Sequence, residues 1–196
     1  MKVIGITGGI ASGKTTVARM FANHGLDHLD ADLLVHEMMR DDKEMIVAIA
    51  KVFPSSLESG QISRRALSDI VTRNPDALPT LEAIIHPRVI AAESRAIAEA
   101  RASNKKGVIL DIPLLFETGG DKRCDTVVVV HAPQAIARAR AFSRPGMTEE
   151  KWRRLVGRQL SEQERCARAD HVITTDGSED DARRQVEALL DQWKLR

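Results

Sequence analysis

The feature that most constrains this chain is the stretch GGIASGKT at residues 8–15. It matches the pattern GxxxxGK[ST] in full, follows an apolar run at residues 3–7, and precedes a helix-like segment at residues 16–24. A strand, a glycine-rich loop and a helix in this order form a loop whose backbone amides surround phosphate oxygens, while the helix adds its positive end. The stretch therefore predicts a phosphate-binding loop, and a glycine-rich turn with a solvated lysine is the weaker alternative.

Individual residues of this loop have predictable roles. Gly8 and Gly13 permit backbone conformations that are closed to other residues, so that successive amides can turn towards one anion. In loops of this kind the lysine, here Lys14, bridges the β- and γ-phosphates, and the hydroxyl of the next residue, here Thr15, is a ligand of Mg²⁺. The loop thus predicts a bound triphosphate together with Mg²⁺.

Five short runs rich in β-branched and aliphatic residues are candidate strands. They lie at residues 3–7, 26–30, 108–112, 126–131 and 171–175. Most are continuous apolar runs, which is typical of strands buried on both faces of a parallel sheet. Because helix-like segments separate them, the sequence predicts an α/β fold with a five-stranded parallel sheet.

The spacing of the runs predicts two insertions. Residues 31–107 are far more than one crossover helix needs. Amphipathic patterns at 44–52 and 89–102, punctuated by prolines, indicate that this insertion is mainly helical. A second insertion, 138–169, is helical and basic. The expected division is a core over 1–32, 107–137 and 170–196, a helical acceptor insertion over 33–106, and a lid over 138–169.

Composition and the first residues indicate the cellular compartment and disfavour some classes of partner. The net charge of +1 gives no general reason to expect nucleic acid or an anionic membrane as a partner. The start MKVIGITGG has neither the pattern of a signal peptide nor that of a membrane span, so we expect a cytoplasmic protein. Cys124 and Cys166 have no CxxC partner, which favours free thiols over a disulfide or a zinc site.

Two acidic positions at the ends of candidate strands could take part in chemistry. Asp111 ends the run VILD, where a carboxylate can hold the water shell of a metal beside the phosphate loop; a turn or cap role is the alternative. In LDAD, the strand period of two places Asp30 and Asp32 on one side, at the edge where open α/β sheets bind ligands. One of this pair could be the base that orients an acceptor hydroxyl, and helix capping is the alternative.

The remaining motifs separate several classes of phosphate-loop protein. A GTPase carries an NKxD guanine reader, whereas residues 104–107 read NKKG, which disfavours a regulatory switch or a motor. A phosphate loop, a large helical insertion after the second strand and a small basic insertion late in the chain are the layout of small-molecule kinases. In such kinases one insertion holds the acceptor and the other closes as a lid.

The chain as a whole resembles the dephospho-coenzyme A kinase family. The resemblance rests on GITGGIASGKTT, on DADLLVHEM after the second run, on IIHPRV at 84–89 and on DIPLLFE at 111–117. It continues through RAFSRPGMTEE at 140–150 and RQLSEQERCARADHVI at 158–173. Many proteins share the phosphate loop, but the ordered set of the other segments is specific to this family.

The resemblance implies a transferase that uses ATP and Mg²⁺ to phosphorylate the ribose 3′-hydroxyl of dephospho-coenzyme A. It implies Asp32 as the base, with Lys14 and Arg140 as catalytic cations and Mg²⁺ held by Thr15 and Asp111. It implies nucleotide contacts from Gly8, Gly9, Ala11, Ser12, Gly13, Lys14, Thr15, Thr16 and Arg144. It implies acceptor contacts from Thr7, Asp32, His86, Arg88, Asp111 and Leu114.

Three points stay open at this stage. The segment HPR could be part of the acceptor pocket or a structural turn, since proline disfavours helix at the residue before it. In the closing loop, Thr174, Thr175 and Asp176 stand where many relatives of the family have an asparagine before Gly177, which puts the adenine contacts there in doubt. The chain has no tyrosine, so apolar or arginine packing on adenine is favoured over aromatic stacking.

Two rival functions compete with this interpretation. Another kinase of nucleotides or small metabolites would share the loop and the lid but would not need the long segment between DAD and HP. A non-catalytic ATP-binding adaptor could use the basic segment for RNA or protein, although glutamates interleave with its cations. We expect a monomer or a weak homo-oligomer whose main partner is its small-molecule substrate.

Overall fold

The computed structural model describes the whole chain, residues Met1–Arg196. The chain divides into two compact units. The first, called the core unit here, comprises Met1–Leu29 and Glu99–Arg196. The second, called the helical unit, comprises Asp30–Ala98.

The chain contains seven strands and nine α-helices. The strands are β1 (Lys2–Gly8), β2 (Asp27–Asp30), β3 (Leu57–Glu58), β4 (Gln61–Ile62), β5 (Gly107–Asp111), β6 (Thr126–His131) and β7 (His171–Thr174). The helices are α1 (Lys14–Ala22), α2 (Ala31–Asp41), α3 (Lys43–Val52), α4 (Arg64–Arg73), α5 (Ala77–Ala102), α6 (Gln134–Phe142), α7 (Glu149–Val156), α8 (Glu162–Arg168) and α9 (Glu179–Gln192). Short 3-10 turns lie at Pro54–Ser56 and Gly120–Arg123.

A five-stranded parallel sheet in the order β2-β5-β1-β6-β7 forms the centre of the core unit. The predicted fold class and the five predicted strands are confirmed, with ends that shift by no more than two residues. The three middle strands, β1, β5 and β6, are largely buried because apolar helix faces pack against them, whereas the edge strands β2 and β7 are mostly half-buried. Ile4 and Ile6 of β1 share one core with Phe21 of α1 and with Val186 and Leu190 of α9.

The strand order explains where a ligand can bind. β1 is the central strand, with β5 on one side and β6 on the other, so the chain winds away from β1 in both directions. In open α/β sheets the crevice at such a switch point, beyond the carboxyl ends of the strands, is the usual ligand site. The loop that follows β1 and the last residue of β5 both lie at this edge.

The helical unit has an apolar core of its own. Met38 and Met39 of α2 pack with Met45 and Ile49 of α3 and with further apolar side chains of α4 and α5. Helices α3 and α4 begin with side-chain caps: Asp42 accepts a hydrogen bond from Met45 N, and Ser63 accepts one from Ala66 N. The small β3–β4 hairpin, which the strand analysis missed, turns through Ser59 and Gly60, both with positive φ.

Helix α5 corrects one of the sequence-based expectations. Pro87 lies inside this 26-residue helix, so the alternative of a turn at His86–Pro87 is wrong. Proline costs a helix interior about 3 kcal/mol, because it removes one backbone bond and clashes with the preceding turn. The apolar side chains of Ile85 and Val89, on either side of it, are buried in the core of the helical unit, and this burial offsets the local penalty.

Two smaller expectations concern the thiols and the membrane. Neither Cys124 nor Cys166 is part of a disulfide, so both are thiols, as predicted. No α-helix of the chain is both long enough and apolar enough to cross a bilayer.

Candidate active site

The loop between β1 and α1 has the backbone shape of an anion site. Gly13 adopts φ 91°, a left-handed conformation that glycine tolerates best. Gly8 has no room for a side chain, since a Cβ there would clash with the Val130 carbonyl and lie 2.6 Å from the Ser12 hydroxyl. The first turn of α1 has no acidic residue and no side-chain cap, so its amides and its positive end stay available to an anion.

Within the loop, Ala11 is the one residue whose conformation is unexpected. Its φ is 58°, which costs a non-glycine residue roughly 1–2 kcal/mol. The turn is closed by a bond from Ser12 N to Gly9 O, 3.1 Å long. Thr15 and Thr16, by contrast, begin α1 with exposed side chains.

Lys14 is held by a buried carboxylate at the end of β5. Its Nζ donates to Asp111 Oδ1, and His28 Nε2 lies 3.2 Å from Asp111 Oδ2. The Asp111 side chain is fully buried. Burial raises the pKa of this carboxyl, but the hydrogen bond from His28 and the charge and hydrogen bond of Lys14 outweigh it and leave the pKa below its ordinary value. Asp111 is therefore a carboxylate that fixes both side chains.

Below the loop, polar contacts join the ends of β1 and β5. The hydroxyl of Thr7, which is fully buried, donates to Pro113 O at 3.0 Å. Gln159 Nε2 donates to Gly8 O at 3.2 Å and also reaches Pro113 O at 3.5 Å. Leu114 follows in the same segment and is half-buried. The segment after α7 is thus bonded to the two strand ends that carry the loop and the acidic group.

Arg140 lies near the end of α6, and its guanidinium is held by the closing loop. Its NH1 donates to Thr175 Oγ1 at 3.1 Å, and its NH2 donates to Thr175 O at 2.6 Å. The Thr175 hydroxyl in turn donates to Ser12 O at 2.6 Å. Arg144 lies just beyond α6 and is exposed. The structure therefore brings Arg140, but not Arg144, into a contact chain with the phosphate loop.

A cavity of about 300 Å³ lies beside the loop, within the core unit. Its volume is at the lower end of the range for small-molecule sites, roughly 300–1,000 Å³. Its polar lining includes His131, Gln159, Glu162 and Arg165, and Gly9 borders it. Arg165 NH2 approaches Gly9 so closely that a Cβ on that glycine would lie 3.0 Å away. α8 thus adds a cation to the first turn of the loop.

The remaining predicted residues belong to the helical unit. Asp30 caps α2, because its Oδ1 accepts a hydrogen bond from Leu33 N at 3.0 Å, which confirms the capping interpretation for this residue. Asp32 lies in the first turn of α2 and is exposed. His86 is an exposed residue of α5, and the half-buried Arg88 donates from NH1 to Ile84 O at 3.1 Å.

Sequence reasoning assigned no role to several residues that make these contacts. His28 could have been found, since it lies two residues before Asp30 in β2, and residues two apart in a strand point to one side. The same period does not extend to Asp32, because the strand ends at Asp30 and Asp32 belongs to α2. Gln159 and Arg165 lie in RQLSEQERCARADHVI, but no local pattern shows that they reach the phosphate loop more than 140 positions earlier. Thr175 lies in the loop whose contacts were left open.

Comparison with known proteins agrees with this geometry. The family model described as "CoaE: Dephospho-CoA kinase" matches residues 2–181. A dephospho-CoA kinase of Agrobacterium fabrum is 43% identical over 190 residues, which are 97% of each chain. A crystal structure from Thermus thermophilus aligns with a TM-score of 0.78 at 35% identity over 97% of each chain. Dephospho-CoA kinase from Campylobacter jejuni, 22% identical, shares the fold with a TM-score of 0.68 over 98% of this chain and 97% of its own.

The phosphate loop, the buried strand-end carboxylate and these similarities over nearly the full length agree, and the chain belongs to the dephospho-CoA kinase family.

Proposed function

We propose that the protein transfers the γ-phosphoryl group of ATP to the ribose 3′-hydroxyl of dephospho-coenzyme A, giving coenzyme A and ADP in the last step of coenzyme A synthesis. The observation that carries the proposal is the phosphate loop whose Lys14 is held by the buried Asp111 carboxylate, in a chain of this family. Phosphoryl transfer requires positioning and charge neutralisation more than covalent chemistry from the protein, and this site offers both.

The donor side of the proposed reaction is the core unit. Backbone amides of the loop and the uncapped start of α1 receive the phosphates of ATP. Lys14 neutralises charge on the β,γ-bridge, and Arg140 and Arg144 add positive charge from the segment that begins in α6. The donor contacts proposed from the loop are those of Gly8, Gly9, Ala11, Ser12, Gly13, Lys14, Thr15 and Thr16.

Mg²⁺ fits the donor side on the chemistry of the oxygens present. Thr15 offers an exposed hydroxyl at the start of α1, and Asp111 offers a carboxylate whose pKa lies below its ordinary value. Such hard oxygen ligands are the ones Mg²⁺ prefers, often through its own water molecules. We propose that Thr15 and Asp111 hold the ion, which supplies charge neutralisation on the triphosphate when it is bound.

The acceptor side is proposed to involve the helical unit. Asp32, exposed at the start of α2, is the proposed base that accepts the proton of the 3′-hydroxyl. His86 and Arg88 of α5 are proposed acceptor contacts, together with Thr7, Asp111 and Leu114. The segment from Asp30 to Ala98 forms a compact unit, which gives a large acceptor a surface on which remote binding energy can position its hydroxyl.

An acceptor panel tests the proposal. ATP and Mg²⁺ are incubated with dephospho-coenzyme A, adenosine, AMP, a deoxynucleoside monophosphate or shikimate, and NMR determines the position of the new phosphate. We expect a clear preference for dephospho-coenzyme A and phosphorylation at the 3′-oxygen alone. If AMP or shikimate reacted faster, the proposal of dephospho-coenzyme A as the acceptor would be contradicted, but the protein would still be a kinase. ATP binding without phosphorylation of any acceptor would favour an adaptor.

The adaptor function has little support in the basic segment. Arg138 is paired with Glu149 at 2.5 Å, and Arg168 is paired with Asp121 at 3.3 Å, so these cations already have carboxylate partners. RNA binding through phosphate contacts would fall steeply as salt rises, and a salt-dependent titration measures this. We propose a cytoplasmic monomer or weak homo-oligomer without a nucleic acid partner, and sedimentation velocity tests the oligomeric state.

A further inference from the structure

We propose that Thr175 is a positioning residue of the phosphate loop: its hydroxyl orients the Ser12–Gly13 peptide, and Arg140 stabilises it in that role. The inference rests on the proposed function, because its effect appears as affinity for ATP. It gives a role to the closing loop, where the sequence left the nucleotide contacts open.

The contacts of Thr175 leave its hydroxyl a single arrangement. A threonine hydroxyl has one hydrogen to donate and two lone pairs to accept with. Ser12 O, at 2.6 Å, is closer than His131 O, at 3.3 Å, so Ser12 receives the hydrogen. Arg140 NH1 donates to the same oxygen at 3.1 Å. Thr175 is only 9% exposed, and its own N–H donates to His131 O at 2.9 Å, which fixes its backbone on β6.

The bond to Ser12 O sets the direction of the next amide. In a trans peptide the carbonyl and the N–H of one unit point to opposite sides. Holding Ser12 O on Thr175 therefore turns the Gly13 N–H away from Thr175. Gly13 is the residue with φ 91°, and the Thr175 side chain lies 3.5 Å from where its Cβ would be. Through this hydrogen bond and this packing contact, Thr175 fixes the backbone at Gly13, where the loop ends and α1 begins with Lys14.

Arg140 makes this bond stronger and links it to α6. A positively charged donor on Thr175 Oγ1 polarises the hydroxyl and strengthens the bond that it donates to Ser12. The second bond, from NH2 to Thr175 O, holds the guanidinium in a two-point grip. Because arginine has five N–H donors, three remain for other groups while two hold Thr175. Arg140 can therefore support the loop and still contribute charge to a phosphoryl group.

Substitutions that separate the hydroxyl from the volume of Thr175 test this inference. Thr175→Val keeps the shape but removes the hydroxyl, and leaves Ser12 O without its donor. Thr175→Ser keeps the hydroxyl. We expect Thr175→Val to weaken ATP affinity, measured by titration calorimetry, at least about fivefold. The variant also loses the hydrogen bond from the charged Arg140 guanidinium to Thr175 Oγ1, and bonds that involve a charged group are worth more than neutral ones. Thr175→Ser should stay within about threefold of wild type, and the Michaelis constant for the acceptor should change by less than about twofold in both.

A control variant separates positioning from a general loss of stability. Ser56 is a fully buried residue of the helical unit whose hydroxyl donates to Phe53 O at 2.7 Å. Ser56→Ala removes a buried hydrogen bond within the helical unit, so it should lower the melting temperature without changing ATP affinity. A merely structural Thr175 would behave in the same way.

A second pair of variants covers the case in which Thr175→Val does not fold. Arg140→Lys keeps the positive charge but replaces the planar fork, whose two nitrogens bond Thr175 Oγ1 and O, with a single nitrogen. We expect it to weaken ATP affinity about two- to fivefold. Arg138→Lys, on the same helix and bonded to Glu149, should leave ATP affinity unchanged.

The outcomes distinguish this inference from the proposed function. If wild type binds ATP and phosphorylates dephospho-coenzyme A, but folded Thr175→Val binds ATP within about twofold of wild type, the inference is overturned and the function stands. Equal weakening by Thr175→Val and Thr175→Ser would also overturn it, because the effect would then come from packing. A wild-type protein that binds no ATP would overturn both.

Discussion

The predicted site residues of the core unit and those of the helical unit differ in what holds them. In the core unit, Thr7 and Asp111 are fully buried, and their partners are far away in sequence: Pro113 O for Thr7, and Lys14 and His28 for Asp111. In the helical unit, two of the predicted residues make contacts that are local in sequence. Asp30 bonds three residues ahead, and Arg88 bonds four residues back.

This difference indicates how each unit responds to change. A buried polar group that loses its partner destabilises the folded state. Substitutions of the buried site residues in the core unit should therefore lower the free energy of unfolding and turnover together. An exposed group such as Asp32 has little desolvation to offset, so its loss should lower turnover alone. Measuring unfolding and turnover on the same variants therefore tests the comparison.

The largest effect is expected for Lys14→Ala. The lysine neutralises charge that develops in the transition state, and one preorganised contact of this kind is commonly worth 10²- to 10³-fold in turnover. Its loss also leaves Asp111 with His28 alone, so the free energy of unfolding should fall by about 1–3 kcal/mol. Steady-state kinetics and urea unfolding measure the two effects. Lys122→Ala, at an exposed position, is the control, and turnover within about threefold of wild type would contradict the role of Lys14.

Asp32→Asn should lower turnover by about 10²-fold if Asp32 is the base, since general-base catalysis contributes roughly 10²- to 10⁴-fold. Because Asp32 is exposed, the free energy of unfolding should change by less than about 0.5 kcal/mol, as for most surface substitutions. Asp30→Asn is the matched variant, and it should cost less turnover because asparagine caps α2 as well as aspartate does. Equal, small losses of turnover in both would return Asp32 to a role in helix capping.

Sequence patterns predicted most of the fold because its signals are local. Five apolar runs gave the sheet to within two residues, and GxxxxGK[ST] located the loop. The order of the strands and the partners of Asp111 depend on contacts between distant residues, which no local window contains. Pro87 was misjudged for the same reason, since the burial of Ile85 and Val89 that keeps it helical is set by tertiary packing.

The site was predicted less completely than the fold. The loop and Lys14 follow from the order strand, loop, helix, and Asp111 follows from the carboxylate that ends the run VILD. The structure brings Lys14 and Asp111 into contact. The contacts of Gln159 and Thr175 with the loop join positions 151 and 163 residues apart. These contacts arise only when β6, β7 and the segment after α7 close around the loop. The predicted acceptor contacts, including His86, stay predictions.

His28→Ala should produce a smaller, combined effect. It removes the partner of Asp111 Oδ2 while Lys14 still holds Oδ1. We therefore expect turnover to fall about fivefold and the free energy of unfolding to fall by about 1 kcal/mol. His28→Gln offers an amide donor and should recover part of both losses. His24→Ala, at the residue after the C-cap of α1, is the control. A change in stability without a change in turnover would show that His28 supports the fold but not the site.

The smallest effect on turnover is expected for Pro87→Ala, which tests the helical unit by stability alone. An alanine restores the N–H that can bond Ala83 O, and it removes the clash of the proline ring. The free energy of unfolding should therefore rise by about 1–3 kcal/mol. The gain is below the full helix penalty because proline also restricts the unfolded chain. Pro79→Ala is the matched control: Pro79 is the third residue of α5, where no intrahelical N–H bond is lost, so the same change should gain little. Equal shifts in urea unfolding for the two variants would mean that the core of the helical unit, and not the local penalty at Pro87, sets the stability of α5.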